Sequence, residues 1–120
     1  MADTDLRADC APVTPDFYRV YNQYRYRKAL ADAVMYDPAY DDCDPPAEII
    51  APLEDEHLNA LEAMILHPVD QPVHLHLKLE VYKAEGMYNG WRNADRIAST
   101  LADDAQRVME THACLKSSVS

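Results

Sequence analysis

Glycine is scarce in this chain: Gly86 and Gly90 are the only two among 120 residues. The usual frequency is about 7%. β-Sandwiches, barrels and loops that cradle nucleotides depend on turns with positive φ, which glycine adopts at little cost. The scarcity therefore argues against those folds and favours helices, with the eight prolines as breaks between them. A chain of this length has room for one domain with a modest core.

Proline positions and apolar spacing together predict most of the helices. Thr14 is a suitable N-cap, because Pro15 and Asp16 follow it in the first turn. Three helices are predicted over about 15–35, 52–67 and 91–112. One more element, the third along the chain, lies between the last two helices, from Pro72 to Gly86. The last helix carries an apolar stripe with steps of four, four and three, formed by Ile97, Leu101, Ala105 and Val108.

The third element carries two conflicting patterns. Apolar and polar residues alternate at every position over 73–81, which is typical of a half-buried strand. The chain has no second alternating run, and a lone strand leaves its backbone groups unpaired. As a helix, the segment has two neighbouring apolar faces: Leu75, Leu79 and Tyr82 form one, and Val73, Leu77 and Val81 form the other. We therefore predict an all-α fold, a small bundle of about four helices. The alternative is an α+β fold in which 73–81 is a strand that pairs in a homodimer.

Composition along the chain predicts its domain organisation. Residues 1–13 are small and polar with several acids, so we expect them to be disordered. We predict a single helical domain over 14–113 and a flexible tail over 114–120. Within that domain, prolines and closely spaced aspartates make 37–46 an acidic, extended linker.

Charged residues are strongly segregated. Between Lys28 and Lys78 the chain holds eleven carboxylates and neither lysine nor arginine. Just before that stretch, residues 17–28 hold four cations, four tyrosines and no acid. The net charge of −10 argues against direct nucleic-acid binding by the whole molecule, since affinity for phosphates depends on the number of cations. An uneven electrostatic field of this kind affects association with partners rather than the fold.

The basic, tyrosine-rich helix has three interpretations. Its tyrosines are core rings whose hydroxyls reach the surface while its cations neutralise the acidic half of the molecule, or the helix is a protein interface, or it stacks and pairs with nucleic acid. The acidic half is interpreted as a solvated face or as a mimic of nucleic acid. The candidate interaction residues are Tyr18, Tyr21, Arg25, Arg27, Asp41, Asp42, Asp44, Glu54, Asp55 and Glu56.

Mimicry of nucleic acid has a measurable requirement. Residues 54–62 hold four carboxylates over about 12 Å of helix. Duplex DNA carries roughly seven charges over the same length. A mimic built on this segment would therefore be sparse, unless the acids of the 37–46 linker add to it.

Catalytic and metal-binding motifs are absent from the sequence. His74 and His76 would share a face on a strand, but lie about 200° apart on a helix, which prevents chelation by the pair. The spacings of the histidines and cysteines are not those of zinc sites, so we expect solvent-facing histidines. The segment around Asp44 lacks the glycine and the distal glutamate of a calcium loop. No phosphate-binding loop or nucleophile elbow occurs. We predict no enzymatic activity, no catalytic residue, no metal and no cofactor.

Two short motifs resemble known proteins. Residues 66–80, which include Leu-Lys-Leu-Glu, and the Leu101-Ala-Asp-Asp-Ala-Gln-Arg107 run resemble small helical proteins of proteobacterial prophages and mobile elements. The similarity covers about 53–108. It implies a helical fold and a phage-related origin, and it carries no activity.

Three functional hypotheses follow from these patterns. The first is a phage-related accessory or regulatory protein that binds another protein; the second is an acidic mimic that inhibits a host nuclease or defence complex, as anti-restriction and anti-CRISPR proteins do; the third is an enzyme. A homodimer is compatible with each. Three widely spaced cysteines indicate reduced thiols, and neither a signal peptide nor a membrane span is visible, so we expect a cytoplasmic protein.

Overall fold

The structure is a computed structural model that describes residues 16–119, with side chains to residue 113. Within this range the chain forms four α-helices and one short 3₁₀-helix. The α-helices are α1 (Phe17–Met35), α2 (Ala47–Leu66), α3 (Pro72–Ala84) and α4 (Ala94–Val119). The predicted all-α fold is confirmed. The alternative with a strand at 73–81 is wrong: these residues are helical, and the described part of the chain contains no strand.

The described part of the chain divides into two compact units. The single domain over 14–113 stays a prediction. The α1–α2 unit comprises residues 18–64. The α3–α4 unit comprises, among the described residues, Phe17 and 65–119. In the first unit, α1 and α2 are joined by Tyr24 and His57, whose rings lie 5.8 Å apart. In the second, α3 packs against α4.

The first two helices differ from their predicted bounds. α1 begins at Phe17, and the N-cap expected at Thr14 lies outside the described residues. α2 begins at Ala47 rather than near Pro52, which lies inside it. Proline lacks the N–H that would bond the Glu48 carbonyl. Both residues are exposed, so water can satisfy that carbonyl and the helix continues through the proline.

The acidic linker at 37–46 is folded into turns rather than extended. Asp37 caps a 3₁₀-helix, Pro38–Tyr40: its carboxylate accepts a hydrogen bond of 2.8 Å from the Ala39 N–H. The Tyr40 carbonyl then accepts a hydrogen bond from the Cys43 N–H. Asx caps of this kind compete well with extended backbone, because the aspartate satisfies an otherwise unpaired donor. The exposed Cys43 has a free thiol.

Residues with positive φ separate α3 from α4. Gly86 and Gly90 have φ of 67° and 70°, and Asn93, just before α4, has φ of 58°. Glycine adopts this region without the steric cost that a Cβ imposes. The sequence predicts the last helix over about 91–112, but α4 starts at Ala94 and continues to Val119, into the segment expected to be a flexible tail. The segment expected to be disordered, 1–13, lies outside the described residues.

The two units bury different kinds of side chain. The buried side chains of the α1–α2 unit are apolar or aromatic and include Tyr24, Ala31, Ile50, Leu61 and Met64. The α3–α4 unit buries Phe17, Ile65, Val69, Val81, Met87 and Ile97, together with Asp70, His74, Lys78 and Asp104. None of the described helices is both long enough and apolar enough to cross a membrane.

Candidate functional site

The buried face of α3 is polar at its centre. His74, Lys78 and Val81 are the buried residues of this helix, at spacings of four and three. The buried side of α3 therefore differs from the two apolar faces predicted from the sequence. Val73 and Leu79, one from each predicted face, are 53% and 45% exposed. The expectation that the histidines face solvent holds for His76 and His112. It is wrong for the buried His74, and His57 and His67 are half-buried.

The buried stripe of α4 is displaced in the same way. Ala105, which the spacing places toward the core, is exposed, whereas Asp104 is completely buried. Ile97 is buried and Leu101 is half-buried, so the stripe continues through Asp104 rather than Ala105. A charged side chain takes the inward position because the interior offers its carboxylate three hydrogen-bond donors.

Asp104 accepts hydrogen bonds from three groups. One oxygen, Oδ2, lies 2.5 Å from Lys78 Nζ, and the other, Oδ1, lies 3.1 Å from the Val69 backbone nitrogen. Arg107 Nη2 donates to Oδ1 at 2.7 Å, and Arg107 Nε donates to the Val69 carbonyl at 3.2 Å. Both polar backbone groups of Val69 are therefore held by α4. The cluster ties together α3, α4 and the turn between α2 and α3.

Burial changes the protonation chemistry of Lys78. Loss of hydration lowers the pKa of its ammonium, and the nearby Arg107 adds to this effect. The hydrogen bond and charge of Asp104 oppose it. A lysine with a lowered pKa is a potential nucleophile. The Lys78 side chain is 0% exposed, however, and its nitrogen donates a hydrogen bond to the Asp104 carboxylate. A substrate therefore has no access to this nitrogen. The geometry favours a structural role for the cluster.

His74 lies one helical turn from Lys78 and packs against an aromatic ring. Its imidazole stacks on Phe17, with ring centroids 4.8 Å apart, and the His67 ring lies 6.5 Å from the same phenylalanine. Burial lowers the pKa of His74, while the carboxylate of Asp70 partly opposes that effect. Phe17 is 0% exposed and is itself part of the α3–α4 unit.

The buried cluster was not predicted from the sequence, although the sequence contains a signal for it. At 100° per residue, Leu75, Val81 and Tyr82 lie within about 60° of Lys78 around α3. Ile97, Leu101 and Val108 lie equally close to Asp104 around α4. Two opposite charges at the centres of two apolar stripes indicate a buried pair.

The tyrosines of α1 are divided between core and surface. Tyr24 is 4% exposed, whereas Tyr18 and Tyr26 are 46% and 56% exposed. Tyr21 is half-buried, and the guanidinium of the exposed Arg25 lies 5.7 Å from its ring centroid. Among the candidate residues on this helix, Tyr18 and Arg25 are the most accessible to a partner.

Two of the four α1 cations are engaged within the α1–α2 unit. Arg27 Nη1 lies 2.6 Å from a Glu56 carboxylate oxygen on α2. Lys28 Nζ lies 3.2 Å from Asp32, one turn further along α1. The predicted neutralisation of acids by α1 cations therefore occurs at these two positions, and the exposed Arg19 and Arg25 are not used in this way.

The acidic candidate residues do not form one contiguous surface element. Asp41, Asp42 and Asp44 are exposed in the turns after the 3₁₀-helix. A helix that began near Pro52, as predicted, would have Glu54, Asp55 and Glu56 in its first turns. That placement is wrong, because α2 begins at Ala47 and Glu48 is its first-turn acid. Of the eleven carboxylates, Asp70 is buried, and Asp32, Asp37, Glu56 and Glu62 have partners within the chain.

The described side chains do not form a metal centre. No group of three or more His, Cys, Asp and Glu is placed among them to hold a metal ion. His74 and His76, the pair that suggests a metal site in the sequence, lie on the buried and exposed sides of α3. Comparison with known proteins adds no relative: no protein-family model, no curated protein and no solved structure matches this chain.

Proposed function

We propose that this protein is a non-enzymatic accessory or regulatory protein that acts by binding another protein through the exposed side of α1. The observation that carries the proposal is the exposure of Tyr18 and Tyr26 beside Arg25. Tyrosine and arginine are enriched among the residues that dominate binding energy at protein interfaces. They combine a large contact area with directional hydrogen bonds, and a tyrosine loses few side-chain rotations on binding.

A phage-related origin and a cytoplasmic location are parts of the same proposal. The first rests on the resemblance of two short motifs to prophage proteins. The second rests on the three cysteines, whose odd number and wide spacing are typical of reduced thiols. The non-enzymatic part of the proposal is supported by Lys78, whose charge is paired with Asp104 in the interior rather than open to a substrate.

The experiment is affinity capture from a bacterial lysate with the tagged full chain, compared with its Tyr26→Ala variant. Tyr88, which is 67% exposed in the α3–α4 unit, provides the matched control, Tyr88→Ala. We expect a partner that the wild type and Tyr88→Ala retain and that Tyr26→Ala loses at least tenfold. Equal loss by both variants, or no captured protein, would contradict the proposal.

Mimicry of nucleic acid is the second candidate function. Eight exposed acids lie in a region without nearby lysine or arginine in the sequence. Asp37 caps the 3₁₀-helix and Glu56 pairs with Arg27. The other six are Asp41, Asp42, Asp44, Glu48, Glu54 and Asp55. If they replace DNA phosphates, a captured nuclease or defence complex should be released by duplex DNA and by high salt. Asn substitutions at the three linker aspartates should weaken that capture. A partner that resists both treatments excludes mimicry and is compatible with the α1 interface.

A further inference from the structure

The exposed side of α1 has a defined chemical pattern. At 100° per residue, an arc of about 120° holds six exposed residues of interest, namely Tyr18, Arg19, Arg25, Tyr26, Ala29 and Ala33. All six belong to the α1–α2 unit, and we refer to them as the tyrosine–arginine face. The exposed Asn22 lies within the same arc and adds a neutral amide. The face combines two cations, two aromatic rings and two small residues on one side of a rigid helix.

The cations of this face have no carboxylate partner among the described side chains. Arg27 and Lys28, on other parts of α1, are held by Glu56 and Asp32. Arg19 and Arg25 form no such salt bridge, and no acid occurs between Phe17 and Lys28. A guanidinium pairs with carboxylates in a bidentate geometry that gives both affinity and orientation. The face therefore offers two exposed guanidinium groups with which the anions of a partner can pair.

The alanines indicate the shape of the partner. Ala29 and Ala33 are one turn apart and exposed, and they follow Arg25 by one and two turns. Small residues let a second helix approach to the 8–10 Å that is usual for helix pairs. Arg19 and Arg25 are six residues apart, which corresponds to about 9 Å along the axis. The two arginines also lie at opposite edges of the arc, about 120° apart around α1. A facing helix that crosses α1 obliquely would meet both with two carboxylates about two turns apart, at roughly 10.5 Å.

We infer that the tyrosine–arginine face binds an acidic α-helical segment of a partner protein, with carboxylates on Arg19 and Arg25 and apolar side chains against Tyr18 and Tyr26. This inference rests on the proposed function and identifies the chemistry of the partner. A nucleic acid fits the face less well. Phosphate binding depends on several cations acting together, and a chain with net charge −10 offers here only two arginines outside the salt bridges of α1.

Binding of a designed probe tests the inference. The probe is a fluorescently labelled helical peptide with glutamates seven residues apart and leucine and alanine between them. Three controls are needed: the same peptide with Gln for Glu, the same peptide with Lys for Glu, and a single-stranded oligouridine. Anisotropy at low and physiological salt gives the affinities, and amide shifts of the ¹⁵N-labelled full chain locate the binding site.

We expect the glutamate peptide to bind at least tenfold more tightly than either peptide control, with shifts on α1. The double variant Arg19→Gln/Arg25→Gln should lose that preference. The matched double variant Lys83→Gln/Arg96→Gln removes two exposed cations from the α3–α4 unit and should retain it. Helix content by circular dichroism should be unchanged in both variants.

Two outcomes would overturn the inference. The first is equal affinity for the glutamate and glutamine peptides, or no binding of any peptide. The second is tighter binding of oligouridine than of the glutamate peptide, which would assign the face to nucleic acid. Failure of the proposed function is distinguishable from both, because it appears in the lysate experiment, as no captured protein or as capture that Tyr26→Ala and Tyr88→Ala affect equally.

Discussion

The two units of this molecule differ in the side chains that they bury: one has an apolar interior, and the other contains a buried ion pair. The α1–α2 unit buries aromatic and aliphatic side chains, and its ion pairs, such as Arg27–Glu56, lie at the surface. The α3–α4 unit places Lys78 and Asp104 in its interior, both with 0% exposed side chains. The difference matters because the free-energy cost of losing one partner depends on whether water can replace it.

This contrast separates two kinds of salt bridge that have similar atomic distances. An exposed pair contributes little, because both ions are already well solvated when apart. A buried pair is itself weak evidence of stability, but breaking it leaves an uncompensated charge in a dry interior. An ion pair of the α1–α2 unit should therefore be removable at little cost, whereas breaking the buried pair of the α3–α4 unit should be costly.

Removal of the buried carboxylate should have the largest effect. Asp104→Ala leaves the Lys78 ammonium, the Val69 N–H and part of Arg107 without their acceptor. We expect a loss of about 3–5 kcal/mol in the free energy of unfolding. Urea denaturation followed by circular dichroism measures it.

The neighbouring exposed Asp103 supplies the control for this variant: Asp103→Ala should change stability by less than about 0.5 kcal/mol. The double variant Lys78→Met/Asp104→Leu should be more stable than Asp104→Ala, since it removes both charges. A loss for Asp104→Ala below about 1 kcal/mol, the range of an exposed pair, would show that the two units do not differ as described.

Truncation in the apolar unit tests the other side of the comparison. Leu61 is completely buried in α2, and Leu61→Ala should cost about 2–5 kcal/mol through lost burial and a residual cavity. Because no charge is involved, the loss should be the same at low and high salt. Ile49→Ala, at a position 43% exposed in the same helix, should cost much less. A salt-dependent loss for Leu61→Ala would be inconsistent with an apolar core.

Acid should weaken the α3–α4 unit through His74. Burial lowers the pKa of this imidazole in the folded state, so the unfolded chain binds a proton more readily. The stability from neutral His74 is fully present above the unfolded pKa of about 6.5 and is lost as the pH falls through the lower folded pKa. The denaturation midpoint should therefore be lower at about pH 5 than at about pH 7.5, on the two sides of that window.

The substitution His74→Gln should reduce that pH dependence, whereas His76→Gln, at an exposed position on the same helix, should leave it intact. Asp70, which opposes the shift of the His74 pKa, should also matter: Asp70→Asn should steepen the loss of stability in acid. An unchanged pH profile in His74→Gln would assign the acid sensitivity to other groups.

The smallest effect is expected at the surface pair of the α1–α2 unit. Arg27→Gln removes the ion pair with Glu56, in which the two side chains are 31% and 50% exposed. The expected loss is below about 1 kcal/mol and should disappear at high salt. Thermal unfolding at low and high salt measures it. A loss comparable with that of Asp104→Ala would remove the distinction between surface and interior ion pairs.

Much of the fold was predictable because it depends on local rules. Glycine scarcity, prolines between segments and apolar spacing predict an all-α chain with about four helices, and they favour a helix over a strand at 73–81. Helix ends are predicted less well. Pro52 indicates a helix start because proline favours the first turn, but an exposed position also tolerates proline inside a helix.

The binding candidates on α1 came from the sequence, while their division into core and surface did not. A tyrosine is compatible with both environments, because its ring is apolar and its hydroxyl is polar. The pairing of Arg27 with Glu56 joins residues 29 positions apart in the chain. Such a contact depends on how α1 and α2 pack, which residue spacing along either helix does not specify.

The sequence by itself determined which segments are helical and where the chain is basic or acidic, because backbone propensity and charge are properties of neighbouring residues. Only the tertiary structure decided which side of each helix faces inward. On α3 and α4 the inward sides carry Lys78 and Asp104, which contribute opposite charges to one interior. Burial of either charge alone would cost too much free energy, and both can be buried because they form a hydrogen-bonded ion pair.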